Sequence, residues 1–576
     1  MGFCLRAVHQ RAVRRAVRFV AVAVLIASAA SLGVGSVAGS ATTGLTWQTT
    51  WTSPTDLADG YASDVTVRDI AQVATAGTAI TITLSNLWSD TPTTFNAVSV
   101  GAQASGIDVV PGTIVPVLFG NGSRSVTVAA HSRVTSDAIA LRVHEGENIA
   151  VSVFVAGFAT ASVHFCCYDR IDSYATADGA GNLTDSPTGA GFDPTLTSPN
   201  MRWLSAVAVE NSSAQGTVVA FGDSITDGFG VLNNGYSWVD AVQARIWRLA
   251  PERQMSVVNE GIAGNTLTVF PPNATYEDIS GGLPGIVRLG PDALSLPGVK
   301  DVVLFLGTND IWFGAGGKTG HPIPPYGSAA ALESTMRQII TVTHAHGVKI
   351  FGVTLLPRSS SKSSGGERAE LWDPQEQAVL NAVNQWILSP ASGFNGVFNL
   401  AAIMGDVYNG ACQPNVPFPP YFNTDNLHPD IAGQTAMANA MSTTYFGLPQ
   451  APQLPPVVVA TPTPGCPGAV AASNVLAQGR QSPTTTTSTS TSTTSTTTTT
   501  TTPVTTTTRA VHRGSGLTHR EVVGSAIALL LLVVLGLATA RRRMIRRRVL
   551  RRDAARRSAG YGYGPPPRPG PPPRRG

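Results

Sequence analysis

The sequence predicts an α/β chain: a parallel sheet with helices on both faces, preceded by an all-β, sandwich-like domain and followed by a C-terminal transmembrane helix. Three patterns lead there. Apolar and polar residues alternate over residues 42–205. Apolar strands alternate with amphipathic helices over residues 214–447. Residues 522–540 form an apolar run with no charge.

In the first segment, Ile80, Ile82 and Leu84 are separated by threonines, and Val151, Val153 and Val155 repeat the period of two. Val126 and Val128, and Ile139 and Leu141, mark two shorter strands. A period of two buries one face of a strand. Turn signals at Pro111-Gly112 and Gly120-Asn121-Gly122 separate the runs. Short strands at this spacing predict a β-sandwich accessory domain over 42–205.

The pattern then changes period. Strands are predicted at 217–221, 255–259, 301–306, 349–355 and 396–400. Trp238, Val239, Val242, Ile246 and Leu249 share one helical face. Leu332, Met336, Ile339 and Ile340 share another, closed by Gly347. Asp373-Pro374-Gln375-Glu376 reads as a capping box with proline at the first helical position, ahead of Val379, Val383, Trp386 and Ile387. Alternating strands and helices imply a parallel sheet covered on both faces.

Charge is segregated in the 576 residues. Residues 1–18 hold five Arg and no acid; residues 541–576 hold thirteen Arg and one Asp. The chain total is only +4, so the segment between is strongly acidic, which argues against nucleic acid as a partner. Arg11, Arg14, Arg15 and Arg18 precede Phe19–Ala30 and a small-residue zone, the layout of a signal peptide over 1–41. Cleavage after Ala38 or Ala41 fits, and retention as a signal anchor is the alternative. The run 522–540 is followed by Arg541-Arg542-Arg543, so an outward-facing protein with a single membrane anchor and a cytoplasmic tail over 541–576 is expected. Residues 451–481 read as a Pro/Ala-rich linker, and 482–508, almost all Thr and Ser, as an extended stalk. Arg outnumbers Lys 35 to 4, a bias that fits a bacterial source with a GC-rich genome.

Cys166, Cys167, Cys412 and Cys466 would meet an oxidising exterior and allow three pairings. If Cys412 and Cys466 pair, they staple the linker to the α/β domain over 214–447. No cysteine spacing matches a zinc site. Gly316-Gly317-Lys318-Thr319 echoes a phosphate loop, but Trp312 stands at its first glycine position. No cofactor or metal is expected.

Four short segments carry the chemistry. Val218–Phe221 is an apolar run ending in Gly222-Asp223-Ser224, a turn that lifts one serine from the end of a buried strand. Hydrolysis of an ester needs such a nucleophile, a base, and donors for the oxyanion. His428 is the candidate base and Asp425, three residues before it, the partner that orients it. Pro429 biases His428 to extended backbone. The candidate oxyanion donors are the Ser224 N–H, the Gly264 N–H and the Asn309 side-chain amide. Alone, Gly-Asp-Ser is an ordinary turn and Asp-x-x-His a surface pair; their order and context carry the reading.

In that order the chain resembles the SGNH (GDSL-type) hydrolase family. The resemblance rests on Phe221–Gly228, Gly261-Ile262-Ala263-Gly264-Asn265, Gly307-Thr308-Asn309-Asp310 and Asp425-Asn426-Leu427-His428. It implies a three-layer, flavodoxin-like sheet and a serine esterase with Ser224, His428 and Asp425 as its triad. Thr66–Asp69, Leu84–Asn86, Leu294–Val299 and Asn384–Ile387 resemble the xylan-esterase-like branch. That implies short acyl groups, above all O-acetyl, on a small molecule or polysaccharide. Asn426 stands where many relatives have Gly. A lipid ester or thioester is the alternative substrate. A glycan-binding surface protein without activity is the alternative of another class, and the complete set of five residues argues against it.

Overall fold

The computed structural model describes residues 46–480 apart from residues 121, 166–172, 199, 232–235, 250–254, 270–280, 317–326 and 361–371. The signal, stalk, transmembrane and tail assignments therefore lie outside the described residues, as do Cys166 and Cys167. Among the described residues no helix is long and apolar enough to cross a membrane.

Residues 46–211 are all β. One antiparallel sheet has the order Thr46–Thr52, Leu204–Asn211, Ala79–Asn86, Ser132–Thr135. A second is built on Val65–Gln72, Asn148–Val155 and Ala97–Ser105. Ile80, Ile82 and Leu84 from the first and Val67, Val151 and Val153 from the second meet in one core, where Trp203 packs edge-on against Phe95. The alternation of inward apolar residues explains this sandwich. One expectation fails: Ile139 and Leu141 form no strand. Ile139 makes a single bridge to Ile80, and the Leu141 N–H turns back to the Ile139 carbonyl at 2.7 Å. That local turn breaks the ladder.

The second half is a five-stranded parallel sheet. Its spatial order is Met255–Gly261, Gly216–Gly222, Val299–Phe305, Lys349–Val353, Gly396–Phe398. In chain order this is 2-1-3-4-5, with the switch point between the first and third strands. The helices Trp238–Ile246 and Ile431–Ala440 cover one face, and Ala329–Ala345 and Pro374–Leu388 the other. Asp373 caps its helix reciprocally with Glu376, and Pro374 occupies the first turn. His346 bonds the Val342 carbonyl at the end of its own helix.

Residues 451–480 correct the linker reading. Leu454, Ala472 and Val475 are buried in the core beneath the helix Ile431–Ala440, and Ala469–Gln478 is itself helical. Cys412 and Cys466 form a disulfide across this junction. The prolines suggested free chain, yet the apolar residues between them find a groove; composition does not reveal a docking surface elsewhere in the chain.

The β domain lies directly against the first and second parallel strands. Thr217 Oγ1 donates to the Thr49 carbonyl at 2.9 Å, and Ser256 Oγ to the same oxygen. Thr52 Oγ1 donates to the Asn259 carbonyl at 2.9 Å. Arg133 pairs with buried Asp292 at 2.6 Å. The strand Met255–Gly261 is the sheet's edge, and residues 46–52 lie against it through these side-chain bonds.

Candidate active site

The first parallel strand delivers Ser224. At its end a Cβ on Gly222 would run into Thr226, so only glycine lets the chain turn this sharply. Asp223 caps the short helix Ser224–Asp227 by accepting the Ile225 N–H at 3.0 Å. Burial pushes the Asp223 carboxyl up to about 7, against the pull of that N–H and of nearby arginines. Ser224 follows at the first helical position, with its Oγ 2.9 Å from His428 Nε2.

His428 Nδ1 lies 2.7 Å from Asp425 Oδ2, and Asp425 Oδ1 accepts the N–H groups of Leu427 and His428, each at 3.0 Å. Burial would raise the Asp425 carboxyl, but the hydrogen bond and charge of His428 and the two N–H groups outweigh it and hold the group below its ordinary value. The loop is closed by Asn423, whose N–H donates to the His428 carbonyl at 2.9 Å. Asn426 has φ +54°, left-handed backbone that glycine and asparagine tolerate best. Phe229 lies against the imidazole, ring centroids 4.3 Å apart.

The second and third strands supply the other two blocks. Gly264 has φ +75°. The next residue, Asn265, donates from Nδ2 to the carbonyls of Gly281 (2.6 Å) and Leu283 (2.8 Å). Arg288 bonds Asn265 Oδ1 and the carbonyls of Glu260 and Gly222, tying together the ends of the first two strands. Burial lowers the Arg288 pKa, and Asp292 and Glu260 oppose the shift. After the third strand, Gly307 has φ +135° and a Cβ there would meet Leu332 at 2.8 Å. Asn309 Nδ2 donates to the Asn265 carbonyl at 2.9 Å, which leaves its second N–H for another acceptor. Asp310 accepts the N–H groups of Leu267 and Thr268 and the Thr268 hydroxyl. Burial lifts its pKa to about 6 against those bonds.

Ser224, Gly264, Asn309 and His428 line one cavity of about 140 Å³, with Asp425 directly behind His428. All five residues singled out in the sequence thus converge, although they lie on four separate segments. Its walls are Phe229, Trp312, Phe313 and Arg358, which the sequence reading did not select. Arg358 is buried, with its guanidinium 5.4 Å from the Trp312 ring centroid and 4.9 Å from that of Trp372. Trp312 lies within two residues of Asp310 and was legible as a neighbour; Arg358 carries no local signal. A hydroxyl bonded to an imidazole whose other nitrogen bonds a carboxylate is equipped for nucleophilic attack on an acyl carbon. Among the described residues no group of acidic, histidine or cysteine side chains is arranged to hold a metal ion.

Residues 220–436 match the GDSL-like lipase/acylhydrolase family. Among solved structures, the chain is similar to LAE5, an alpha/beta hydrolase from the metagenome of Lake Arreo. Identity there is 20%, coverage 41% of this chain and 96% of that one, and the TM-score 0.28. It is similar to Axe2, an acetylxylan esterase from Geobacillus stearothermophilus, at 21% identity, with 40% and 94% of the two chains covered and a TM-score of 0.27. A GDSL-like lipase from Bacteroides thetaiotaomicron shows 18% identity, 37% and 80% coverage and a TM-score of 0.23. No curated protein matches the chain.

Proposed function

Since residues 220–436 belong to the GDSL-like lipase/acylhydrolase family and the chain is an ester hydrolase, we propose that it removes short acyl groups, chiefly O-acetyl, from carbohydrate by a Ser224–His428–Asp425 triad. The observation that carries the reading is the unbroken hydrogen-bonded chain from Ser224 Oγ through both imidazole nitrogens to Asp425.

In this mechanism Ser224 Oγ attacks the acyl carbon while His428 Nε2 takes its proton. Asp425 holds the tautomer with the proton on Nδ1 and stabilises the imidazolium. The oxyanion is held by the N–H groups of Ser224 and Gly264 and by the free N–H of the Asn309 amide. Collapse expels the alcohol, which receives the proton from His428. Water, deprotonated by His428, then attacks the acyl-enzyme and releases the acid.

The cavity supports short acyl groups. The open cleft of about 140 Å³ has room for a small acyl group beside Ser224. Arg358 puts a cation in its wall, unfavourable to a long alkyl chain. The resemblance of residues 45–447 to the xylan-esterase-like branch supports a carbohydrate alcohol. The same proposal places the enzyme outside a bacterial cell, tethered by the stalk 482–508 and the apolar run 522–540.

The test is hydrolysis of p-nitrophenyl acetate through octanoate, and acetate release from acetylated xylan, by wild type and Ser224→Ala. Turnover that is abolished in the variant and highest for acetate supports the proposal. Unchanged turnover in the variant removes Ser224 from the mechanism, and fastest turnover of octanoate removes the short-acyl reading.

A further inference from the structure

His164 belongs to the β domain, at the end of the strand Ala159–His164, yet its ring reaches the helix that carries Ser224. It is fully buried. Nδ1 lies 2.7 Å from the Pro54 carbonyl, and Nε2 lies 3.1 Å from Asp227 Oδ1. A carbonyl only accepts, so Nδ1 carries a proton; a second proton lies in the bridge between Nε2 and the carboxylate. Asp227 is the last residue of the helix that begins with Ser224. Its other oxygen, Oδ2, accepts the Ala263 N–H at 3.1 Å. Ala263 is the residue before Gly264.

A second route from the β domain ends at the same loop. Asp56, whose Oδ1 accepts the N–H of Phe165, packs against Gly282, where a Cβ would stand 3.2 Å from the Asp56 Cβ. Gly281, one residue earlier, lies against the backbone of Ala263, Gly264 and Asn265 so closely that any side chain there would collide. The 262–265 loop is thus held between Asp227 on one side and the 281–282 segment on the other, and residues of the β domain stand behind both.

We propose that the β domain is a working part of the catalytic site: His164 is a positioning residue that holds Asp227, which fixes the Ala263 N–H and so aims the Gly264 N–H at the oxyanion. This rests on Gly264 serving as an oxyanion donor. The physical reason for a histidine is its two donors on opposite sides of a rigid ring. One is fixed to its own domain at Pro54; the other crosses to the hydrolase domain. The groups facing the bridge are Asp56 from the β domain and Asp227 and Arg288 from the hydrolase domain, so the imidazolium stands between two acids. An oxyanion donor displaced by a fraction of an ångström loses most of its effect in the transition state while leaving ground-state binding nearly unchanged.

The experiment uses the purified full chain with p-nitrophenyl acetate, and methyl trifluoromethyl ketone as the mimic of the oxyanion adduct. His164→Ala is expected to lower kcat by roughly 10- to 100-fold with KM within about threefold, and to weaken the ketone in step with kcat/KM. His164→Gln places an amide donor near the position of Nε2 and is expected to recover most of the loss. Asp227→Ala should match His164→Ala, and the double variant should be no worse than either, since both break one connection. Asp227→Ala also serves if His164→Ala does not fold. Losses confined to KM, additive losses in the double variant, or full kcat in a folded His164→Ala overturn the proposal. Ser224→Ala, measured alongside, separates this from failure of the site assignment: an active Ser224→Ala sinks the assignment itself.

Discussion

Asp425→Asn replaces one atom and should nearly silence the enzyme. The direction follows from which way the new amide must face. Asp425 Oδ1 accepts two backbone N–H groups, from Leu427 and His428, each at 3.0 Å. An NH₂ group at that position would oppose both donors, so the asparagine carbonyl takes the Oδ1 place. The NH₂ then occupies the Oδ2 place, 2.7 Å from His428 Nδ1, and donates to it. Nδ1 becomes an acceptor, the ring proton moves to Nε2, and Nε2–H points at Ser224 Oγ, where it cannot take a proton. A tautomer inversion of this kind costs about 10⁴ in kcat in the serine protease on which the principle was worked. That corresponds to about 5.5 kcal/mol at about 1.36 kcal/mol per decade. Because Asp425 here is only half-buried, a loss of about 10³–10⁴ in kcat is expected, with KM within about threefold. The assay is initial-rate hydrolysis of p-nitrophenyl acetate by wild type and variant, with matched melting temperatures to show an intact fold. Retention of more than a tenth of wild-type kcat would refute the claim that Asp425 sets the tautomer.

Asn309→Ala should lower kcat by about 10²–10³ by deleting one oxyanion donor, with the loop held by the Asn265 side chain; unchanged kcat removes Asn309 from that role. Cys466→Ser opens a loop with a sequence separation of 54, which should cost about 4 kcal/mol of stability by loop entropy. Denaturant titration checks this, and a midpoint equal to wild type would mean that residues 451–480 need no staple. The His164 pKa is raised from 6.5 to about 9: burial lowers it, but the charge and hydrogen bond of Asp227, then Asp56 and Pro54, outweigh burial. A raised folded pKa contributes stability that is complete below about 6.5 and lost as pH rises through about 9. The melting-temperature difference between wild type and His164→Gln should therefore shrink across pH 6.5–9, and a constant difference would show that the bridge does not titrate there. Asp69 and Asp223, whose pKa values burial raises to about 7, titrate near this window in both proteins and cancel in the difference. Asp56, raised by burial to about 6 against the pull of the His164 charge, is part of the same interacting group and belongs to the difference.

Much of the site was legible before the structure. Ser224, Gly264, Asn309, Asp425 and His428 each lie in a short block whose local chemistry is distinctive: a glycine turn after an apolar strand, a glycine–asparagine turn, an Asp-x-x-His before proline. The five parallel strands, three of the helices and the Asp373 capping box were legible for a similar reason, since apolar runs and a period of about 3.6 report burial directly. Two local readings failed. Ile139 and Leu141 have the right period but a turn between them, and residues 451–480 have a linker's composition but an apolar face that docks.

What the sequence determined by itself was therefore whatever is encoded within ten or fifteen residues: the strand and helix patterns, the Asp373 cap, the Gly-Asp-Ser turn and the residue types of the four blocks. Tertiary structure alone decided the rest. It set the strand order that brings four blocks to one sheet end, Arg358 in the cavity wall, Cys412 against Cys466, and His164 against Asp227. Those pairs are tens to hundreds of residues apart, and a hydrogen bond or a packed ring depends on positions in space that no local periodicity records. His164 shows the difference most plainly. In the sequence it is one more histidine at the end of an alternating strand. In the fold, its ring joins the Pro54 carbonyl to the Asp227 carboxyl, and the β domain meets the parallel sheet's first helix there.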